Sequence, residues 1–479
     1  MILRVINHPY EFDMKNLCIT FFPHEKIRLE GDEDPVVVTT RRETDGSFFV
    51  SAKVYDVSRE TTAKPEPADE EHLVLSVTLY RLLSGILGFA PPWGVLYGVR
   101  PAKLMHRLCA QMGDDAAVAH FQTAFLTQKS KAELAHEVML HENRSIARSG
   151  PKSFSLYVSI PFCPTRCAYC SFVSHSIEKT HKLMTPYVDL LLRELEETSK
   201  YAKELGLELA TVYFGGGTPT TLSAQDLGRI FSTIEQNFDL SHLMEYTVEA
   251  GRPDTVTRER LEVIRAAGVQ RISINPQSFN DKVLEAIGRR HTAQQTLDAF
   301  ALARNCGFDH INMDFIAGLP EDDLPSFQRS IQTALDLQAE SITVHTLALK
   351  TSAYMVTREQ TFDLKDRLTV SNMVDYAGQT LHGAGYYPYY MYRQSKSLGN
   401  LENVGWCKPG YDCLYNVYMM DETHTVLAVG AGAVTKLRGQ NSGMIERIYN
   451  YKYPYEYIRD FDTLLERKKR IPGFYAEYD

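Results

Sequence analysis

The sequence predicts an α/β fold built on a partial barrel of six parallel strands with crossover helices. Six short apolar runs alternate with amphipathic helical stretches between about residues 151 and 350, which is typical of repeated βα units. The first five runs each end in a polar or glycine-rich signal, at the strand ends where such barrels gather their function. Three closely spaced cysteines follow the first run.

The strands and helices of this barrel are predicted from periodicity. The apolar runs are short, and the helical stretches repeat apolar residues every three or four positions. The predicted strands are 154–160, 210–214, 245–249, 271–275, 310–316 and 341–346, and the helical stretches include 187–205, 227–238, 258–267 and 325–337.

Residues 1–150 are predicted to form an N-terminal α+β extension of unknown role. Residues 17–22, 36–40 and 48–55 are rich in β-branched and aromatic side chains and are predicted strands. A proline-rich acidic loop over 61–71 then leads into helical patterns that continue to about residue 148. We therefore expect a small sheet followed by helices.

Residues 351–479 are predicted to form a C-terminal α/β cap region. Residues 426–432 have the pattern of a strand that enters a glycine turn. The tail from residue 449 to residue 469 is aromatic and charged, and we expect a helix packed on the core. The predicted domains are thus 1–150, 151–350 and 351–479.

Composition limits the classes of function. Hydrophobic residues make up 44% of the 479 positions, charged residues 23%, and the net charge is -9, so a globular protein without a nucleic-acid partner is expected. Prolines interrupt the apolar stretch 83–99, so no membrane span is expected. With no export signal visible, we expect a cytoplasmic protein. The other five cysteines are scattered and suggest no disulfide framework: Cys18, Cys109, Cys306, Cys407 and Cys413.

The most informative feature is the spacing of Cys163, Cys167 and Cys170. Three such thiolates can hold three irons of a [4Fe-4S] cluster and leave the fourth iron open. An open iron beside a bound sulfonium cofactor can reduce it and release a carbon radical. The alternatives are a zinc site that lacks a ligand, or three unrelated thiols.

The next strand ends add polar candidates. The glycines of 213–219 let backbone groups approach a ligand, although a tight turn has the same signature. Glu249 could accept hydrogen bonds from a ribose or an ammonium group, or merely cap a helix. Gln277 and Arg289 could face one ligand or lie on the surface. Asp314, if buried, needs a partner.

Together these residues resemble the radical S-adenosylmethionine (SAM) superfamily. Within it they are most similar to the oxygen-independent coproporphyrinogen III oxidase (coproporphyrinogen dehydrogenase) family, in its HemZ-like branch. The resemblance is carried by Tyr157-x-x-Ile-Pro-Phe-Cys163, Cys167-x-Tyr-Cys170, Gly215-Gly-Gly-Thr-Pro219, Glu249, Gln277-Ser-Phe279, Gly288-Arg-x-His291, Asp314-x-x-x-Gly-Leu-Pro320 and Tyr392-Arg-Gln-x4-Gly-Asn-Leu-Glu-Asn-Val-Gly405.

The resemblance implies a site for two cofactors. Cys163, Cys167 and Cys170 would bind the [4Fe-4S] cluster, whose open iron would take the amino and carboxylate groups of SAM. Tyr169 would lie against the adenosine. The remaining implied contacts with SAM are Gly216, Gly217 and Thr218 at its methionine part, and Tyr157, Glu249, Gln277, Arg289 and Asp314.

The resemblance also implies a reaction. A deoxyadenosyl radical would remove hydrogen from a propionate of coproporphyrinogen III, and loss of carbon dioxide would leave a vinyl group. Two such steps would give protoporphyrinogen IX for haem biosynthesis. An electron donor of flavodoxin or ferredoxin type and an electron acceptor would be needed.

Two departures from the dehydrogenase pattern keep other activities open. Proven dehydrogenases carry a histidine where this chain has Ser159, and a fourth cysteine where it has Phe172. A phenylalanine at that position is similar to the haem-chaperone branch of the family. A third related group opens haem by radical methyl transfer.

The predicted C-terminal cap region, residues 351–479, offers weaker candidates for the substrate site. Arg393 and Lys396 could pair with substrate carboxylates, and Tyr386, Tyr387, Tyr389 and Tyr390 could line a macrocycle. A solvated turn beside an aromatic core patch is the favoured interpretation. Cys407 and Cys413 could ligate a second cluster or a haem iron, although free structural thiols are favoured.

Overall fold

A computed structural model describes the chain except residues 24, 32, 99, 171–174, 349–363 and 395. The side chains of residues 179 and 364–366 are also outside the description. The described strands are β1 Ile2–Ile6, β2 Val36–Arg42, β3 Phe48–Val54, β4 Val57–Ala63, β5 Ser153–Ile160, β6 Phe162–Cys163, β7 His175–Ser176, β8 Glu208–Gly216, β9 Glu245–Glu249, β10 Arg271–Ser273, β11 His310–Ala317, β12 Ser341–Thr346, β13 Tyr387–Arg393, β14 Glu402–Cys407, β15 Thr425–Val429, β16 Val434–Arg438 and β17 Ile445–Tyr449.

Helices lie between these strands and at both ends of the chain. They are α1 Glu11–Phe21, α2 Glu71–Leu87, α3 Pro101–Met112, α4 Asp114–Thr123, α5 Lys129–Ile146, α6 Ile177–Glu204, α7 Ala224–Asn237, α8 Arg258–Ala266, α9 Asp281–Ala286, α10 Ala293–Asn305, α11 Leu324–Asp336, α12 Leu364–Gly383, α13 Leu414–Asp421, α14 Pro454–Arg459, α15 Phe461–Lys468 and α16 Arg470–Tyr478.

The main sheet confirms the predicted α/β barrel. Its order among the described residues is β13-β14-β12-β11-β10-β9-β8-β5-β15-β16-β17, and the run from β12 to β15 is parallel. The six predicted strands are β5, β8, β9, β10, β11 and β12, with ends that differ by at most two residues. Helix α6 begins ten residues before the predicted 187. The prediction missed this first part because no described side chain over 177–186 is buried, so the helical pattern of apolar residues is weak there.

The C-terminal third contributes strands to this same sheet. Strand β15 forms at the predicted position and pairs in parallel with β5, so Leu427 lies opposite Leu156. On the other edge, β14 pairs antiparallel with β12. Strands from both sides of residue 350 therefore share one sheet, while the domain boundary itself stays a prediction.

The N-terminal region has a sheet and a core of its own. Strands β1 to β4 form that sheet in chain order. The predicted strand at 17–22 is wrong, because these residues end helix α1. Met14, Leu17, Cys18 and Phe21 are buried at helical spacing there. Strand β4 escaped prediction because nearly all of it is exposed and shows no apolar alternation.

Helices α3 to α5 join this region to the barrel. Lys131 of α5 is buried and binds Glu402 of β14 at 2.6 Å and Asp375 of α12 at 2.8 Å. The indole of Trp93 donates to the same Glu402 carboxylate at 2.7 Å. A buried lysine and its two acids thus hold the helical layer against the edge of the sheet.

The apolar stretch at the end of α2 does not continue as a long helix. Helix α2 ends at Leu87, and Gly88 follows in the left-handed conformation with φ of 64°, a common way to end a helix. In the part of the chain that the structure describes, no helix has the length and apolar character needed to cross a membrane.

Candidate functional site

The candidate residues gather at one end of the barrel. Carboxyl ends of parallel strands share one edge of a sheet, and contacts between neighbouring strands show the result. The Tyr213 hydroxyl donates to Glu249 Oε1 at 2.6 Å. The backbone N–H of Gln277 donates to the carbonyl of Asp314 at 2.9 Å. The ends of β8 to β11 thus bring together residues that lie about a hundred positions apart.

The cysteine loop follows β5 and is contacted by two neighbouring strand ends. The hydroxyl of Thr218 lies 3.5 Å from Cys163 Sγ. Arg252 Nη1 lies 3.7 Å from Cys167 Sγ, and the same guanidinium is held by Asp254 through two contacts of 3.0 Å. A hydroxyl and a cation thus lie beside two of the three cysteine sulfurs.

The glycine run packs directly against this loop. Gly217 N–H donates to the Ile160 carbonyl and Thr218 N–H to the Phe162 carbonyl, both at 2.7 Å. A methyl group at Gly217 would lie 2.5 Å from the Phe162 oxygen. The glycine is therefore required by the close approach of two backbone segments, and this approach carries Thr218 to the sulfur of Cys163.

Two half-buried carboxylates face the same end of the barrel in different states. Burial raises the pKa of Glu249 to about 7, although its hydrogen bond from Tyr213 opposes the shift. Asp314 is desolvated too, but His345, with Nε2 3.9 Å from Asp314 Oδ2, and the Asn312 amide at 2.7 Å keep its pKa below the usual range. Near neutral pH, Asp314 is ionised while Glu249 is poised to gain or lose a proton.

Several buried polar atoms at this edge make no hydrogen bond within the described part of the protein. Among the described residues, Gln277 Oε1, Asn275 Oδ1 and Arg289 Nε are buried without a hydrogen bond. The other Arg289 nitrogens donate to the Asn275 carbonyl at 2.6 Å and the Tyr169 hydroxyl at 3.2 Å. Unsatisfied buried polar groups in a folded protein call for an explanation, and a polar ligand at this edge supplies one.

An aromatic layer adjoins Glu249, to which the Tyr213 hydroxyl donates. Tyr157 and Tyr213 stack at 6.2 Å, and Tyr415 lies over both at 5.9 and 4.4 Å. Helix α13 delivers Tyr415, and the Glu245 carboxylate fixes its start by accepting the Leu414 N–H at 2.6 Å. Tyr415 and Arg252 escaped prediction. Arg252 had a signal, its place just after the third strand, whereas Tyr415 follows the 392–405 motif but belongs to no motif itself.

The two C-terminal cysteines lie away from this edge. Cys413 is buried and its Sγ lies 3.4 Å from Glu245 Oε1, at the beginning of β9. Cys407 is buried at the end of β14. Burial raises the pKa of both thiols above the usual range. These surroundings favour free structural thiols over ligands of a second cluster or a haem.

Arg393 is engaged within the fold. It is buried, lies 5.0 Å over the Trp93 ring, and donates to the carbonyls of Leu96 at 2.7 Å and Asn400 at 3.2 Å. It therefore anchors the loop before α3, and the solvated turn is wrong for this residue, while its role toward a substrate stays a prediction. Lys396 is exposed.

The four tyrosines that could line a macrocycle, Tyr386, Tyr387, Tyr389 and Tyr390, are engaged within the fold. Tyr389 is completely buried and Tyr390 nearly so. Tyr387 donates to Asp412 at 2.7 Å, and Tyr386 donates to the Ala339 carbonyl. We assign these residues to packing between the strands and the helical layer, which supports the aromatic core interpretation.

The two departures from the dehydrogenase pattern differ in their surroundings. The hydroxyl of Ser159 donates to the Ala431 carbonyl at 2.8 Å, so it faces the turn after β15. Phe172 lies outside the described residues.

Comparison with known proteins identifies the class that this barrel and its cysteine loop define. Residues 157–334 match the Radical SAM superfamily, whose members use a [4Fe-4S] cluster and SAM. The chain is 34% identical over 470 residues to the oxygen-independent coproporphyrinogen-III oxidase-like protein HemZ of Bacillus subtilis (strain 168), covering 95% of this chain and 94% of that protein. The chain belongs to this HemZ-like family.

More distant relatives bear another name. Heme chaperone HemW of Bacillus subtilis (strain 168) is 31% identical over 318 residues, which cover 64% of this chain and 79% of that protein. Among solved structures, the coproporphyrinogen III oxidase HemN of Escherichia coli matches with a TM-score of 0.51 and 22% identity, over 68% of this chain and 72% of that chain. That likeness shows a shared fold.

Proposed function

We propose that the chain is a radical SAM coproporphyrinogen dehydrogenase that converts two propionates of coproporphyrinogen III to vinyl groups without oxygen. The observation that carries the proposal is the cysteine loop beside unsatisfied polar atoms, in a chain that matches HemZ over nearly its whole length. Protoporphyrinogen IX for haem biosynthesis would be the product, and the cytoplasm the expected location.

The residues at the strand ends fit the two cofactors. Cys163, Cys167 and Cys170 would hold three irons of the cluster, with Arg252 and Thr218 beside two of the sulfurs. Gly216, Gly217 and Thr218 would border the methionine part of SAM. The unpaired Gln277 Oε1 and Arg289 Nε offer an acceptor and a donor to its polar groups. Tyr157, Tyr169, Glu249 and Asp314 would complete the surroundings.

When bound, the cluster and SAM supply the radical that removes hydrogen from a substrate propionate. The protein's own share is to bind, orient and exclude water. The aromatic layer of Tyr157, Tyr213 and Tyr415 adjoins Glu249 through the Tyr213 hydroxyl. A cavity of about 470 Å³ beside the cysteine loop, lined in part by Thr165 and Arg289, offers an approach from outside. A flavodoxin- or ferredoxin-type donor and a separate acceptor would carry the electrons.

A second candidate is a haem chaperone, which would bind haem without chemical change. Two HemW relatives, from Bacillus subtilis and from Haemophilus influenzae, are 31% and 30% identical over more than 300 residues, which favours this alternative over other radical reactions. The same barrel would then hold haem and pass it on.

One experiment separates the candidates. Cluster-reconstituted protein is incubated without oxygen with SAM, a reductant, an electron acceptor and coproporphyrinogen III, and porphyrins and nucleosides are measured by mass spectrometry. We expect loss of two carboxyl groups together with deoxyadenosine. Deoxyadenosine without change to the porphyrin would exclude the dehydrogenase, and stoichiometric haem binding in a parallel titration would then support the chaperone.

SAM binding is expected to strengthen as the pH rises through about 7. Burial raises the pKa of Glu249 to about 7, and the ionised carboxylate is the stronger acceptor for hydrogen bonds from the ligand. Below that pH, the affinity should fall by up to about tenfold per unit. Calorimetry from about pH 6 to pH 8 measures this dependence.

Two variants test whether Glu249 is the titrating group. Tyr213→Phe removes the 2.6 Å hydrogen bond that stabilises the carboxylate, so the midpoint should move up by about 1–2 pH units. Glu249→Gln should lose the dependence and retain only what SAM itself contributes. Equal pH profiles for the native protein and Glu249→Gln would refute the assignment.

A further inference from the structure

A second group of metal-ligating side chains lies in the helical layer, outside the cysteine loop. Cys109 is in the last turn of α3, Asp114 is the first residue of α4, and His136 lies in the middle of α5. One ligand atom from each of the three lies within 4.8 Å of the other two. His136 Nε2 is 3.1 Å from Asp114 Oδ2.

The chemistry of this set suits zinc. Thiolate, imidazole and carboxylate are the three ligand types that Zn²⁺ takes in proteins, and sites with three protein ligands keep one position for water. Bonds of about 2.0–2.3 Å to a tetrahedral ion place neighbouring ligand atoms about 3.3–3.8 Å apart. The His136–Asp114 separation of 3.1 Å is close to these values and the other two separations are no more than 4.8 Å, so side-chain rotations would complete the site.

The position of the three residues allows an ion to enter and be held. Asp114 is exposed, while Cys109 and His136 are half-buried, so the open side faces solvent. Zinc takes cysteine as the thiolate, so binding of the ion would release the thiol proton to solvent.

The location gives such an ion a structural consequence. The three residues come from three successive helices that share one layer, and α5 of that layer also carries the buried Lys131 that binds Glu402 of the barrel sheet. An ion would bridge the turn between α3 and α4 to α5. It would therefore stabilise the layer that joins the N-terminal region to the barrel.

We propose that Cys109, Asp114 and His136 bind one Zn²⁺ ion, with water as the fourth ligand. The site joins the corner of α3 and α4 to α5 and is independent of the function proposed for the cysteine loop. In the alternative, the same residues form only a histidine–carboxylate ion pair beside a protonated thiol, and the protein binds no ion there.

Zinc content tests the site in the full-length, cluster-reconstituted protein. After dialysis against a buffer with micromolar free Zn²⁺, elemental mass spectrometry should find one zinc ion per chain. Cys109→Ser and His136→Gln should each weaken binding at least tenfold, as loss of one zinc ligand does. Zinc should also raise the Tm of the native protein and leave the Tm of both variants unchanged.

Matched controls come from the same chain. Cys306 is another half-buried cysteine. His382 lies 3.5 Å from the Glu137 carboxylate and so forms a histidine–carboxylate pair like that of His136 and Asp114. Cys306→Ser and His382→Gln should keep the zinc and the rise in Tm. Equal zinc in all four variants, or none in the native protein, would overturn the proposal.

Zinc bound at the cluster cysteines is distinguished by a second measurement. A full-length variant with Cys163, Cys167 and Cys170 replaced by alanine is titrated with Co²⁺, which reports a thiolate ligand through its near-ultraviolet absorption. The band should appear in this variant and disappear when Cys109→Ser is added. A band that survives Cys109→Ser would assign the ion elsewhere.

Discussion

Replacing Cys167 with alanine is expected to abolish SAM cleavage and to remove most of the bound iron. The thiol is buried at the strand end, next to the guanidinium of Arg252 at 3.7 Å. A cluster held by three thiolates loses a third of its protein ligands when one is removed. Because the cofactors carry the chemistry, the side chains of the barrel alone are not expected to cleave SAM once the cluster is lost. Iron analysis and deoxyadenosine formation without oxygen provide the measurement.

The matched control is Cys306→Ala. Cys306 follows α10, away from the strand ends, and its Sγ lies 3.8 Å from Arg258. This variant should keep its iron and its SAM cleavage. Normal iron content in Cys167→Ala, with unchanged deoxyadenosine formation, would show that the loop does not hold the cluster.

Replacing Lys468 with methionine is expected to destabilise the fold by about 3–5 kcal/mol. Lys468 and Glu194 form an ion pair of 2.6 Å in which both side chains are completely buried. Glu194 also accepts hydrogen bonds from Tyr457, from Asn450 and from the Gly430 N–H. Without the lysine, its charge would remain buried and uncompensated. Denaturant unfolding measures the loss.

The neighbouring residue supplies the control. Lys469 pairs with Glu466 at the same distance of 2.6 Å, but both side chains are more than 60% exposed, so Lys469→Met should cost only about 0–1 kcal/mol. Adding Glu194→Gln to Lys468→Met should recover part of the stability, because the unpaired charge is then gone. Equal costs for the two lysine variants would contradict this account.

The Lys468 ion pair also matters for the candidate site. Glu194 accepts a hydrogen bond of 2.7 Å from the Gly430 N–H. The carbonyl of the adjacent Ala431 accepts a hydrogen bond from the Ser159 hydroxyl at the end of β5. The cysteine loop begins just after that strand end. A loosened C-terminal tail would therefore disturb the support of the cysteine loop, and Lys468→Met should lower the retention of iron as well as the stability.

Local patterns explain which predictions succeeded. The apolar runs of β5 and of β8 to β12 are buried parallel strands, which have a strong sequence signature, and their polar ends follow directly along the chain. Composition misled at 17–22, where β-branched and aromatic residues suggested a strand although burial repeats with helical spacing. Arg393 was misjudged because its partners, Trp93 and Leu96, come from a distant loop.

The sequence by itself determined the class of fold, the family and the order of the candidate residues along the strands. These depend on periodicity and spacing within short segments. Only the tertiary structure decided which distant residues meet. It brought Tyr415 over Tyr157, buried Lys468 against Glu194, and assembled Cys109, Asp114 and His136 from three helices. Such contacts depend on how whole elements pack, and no local pattern in the chain encodes them.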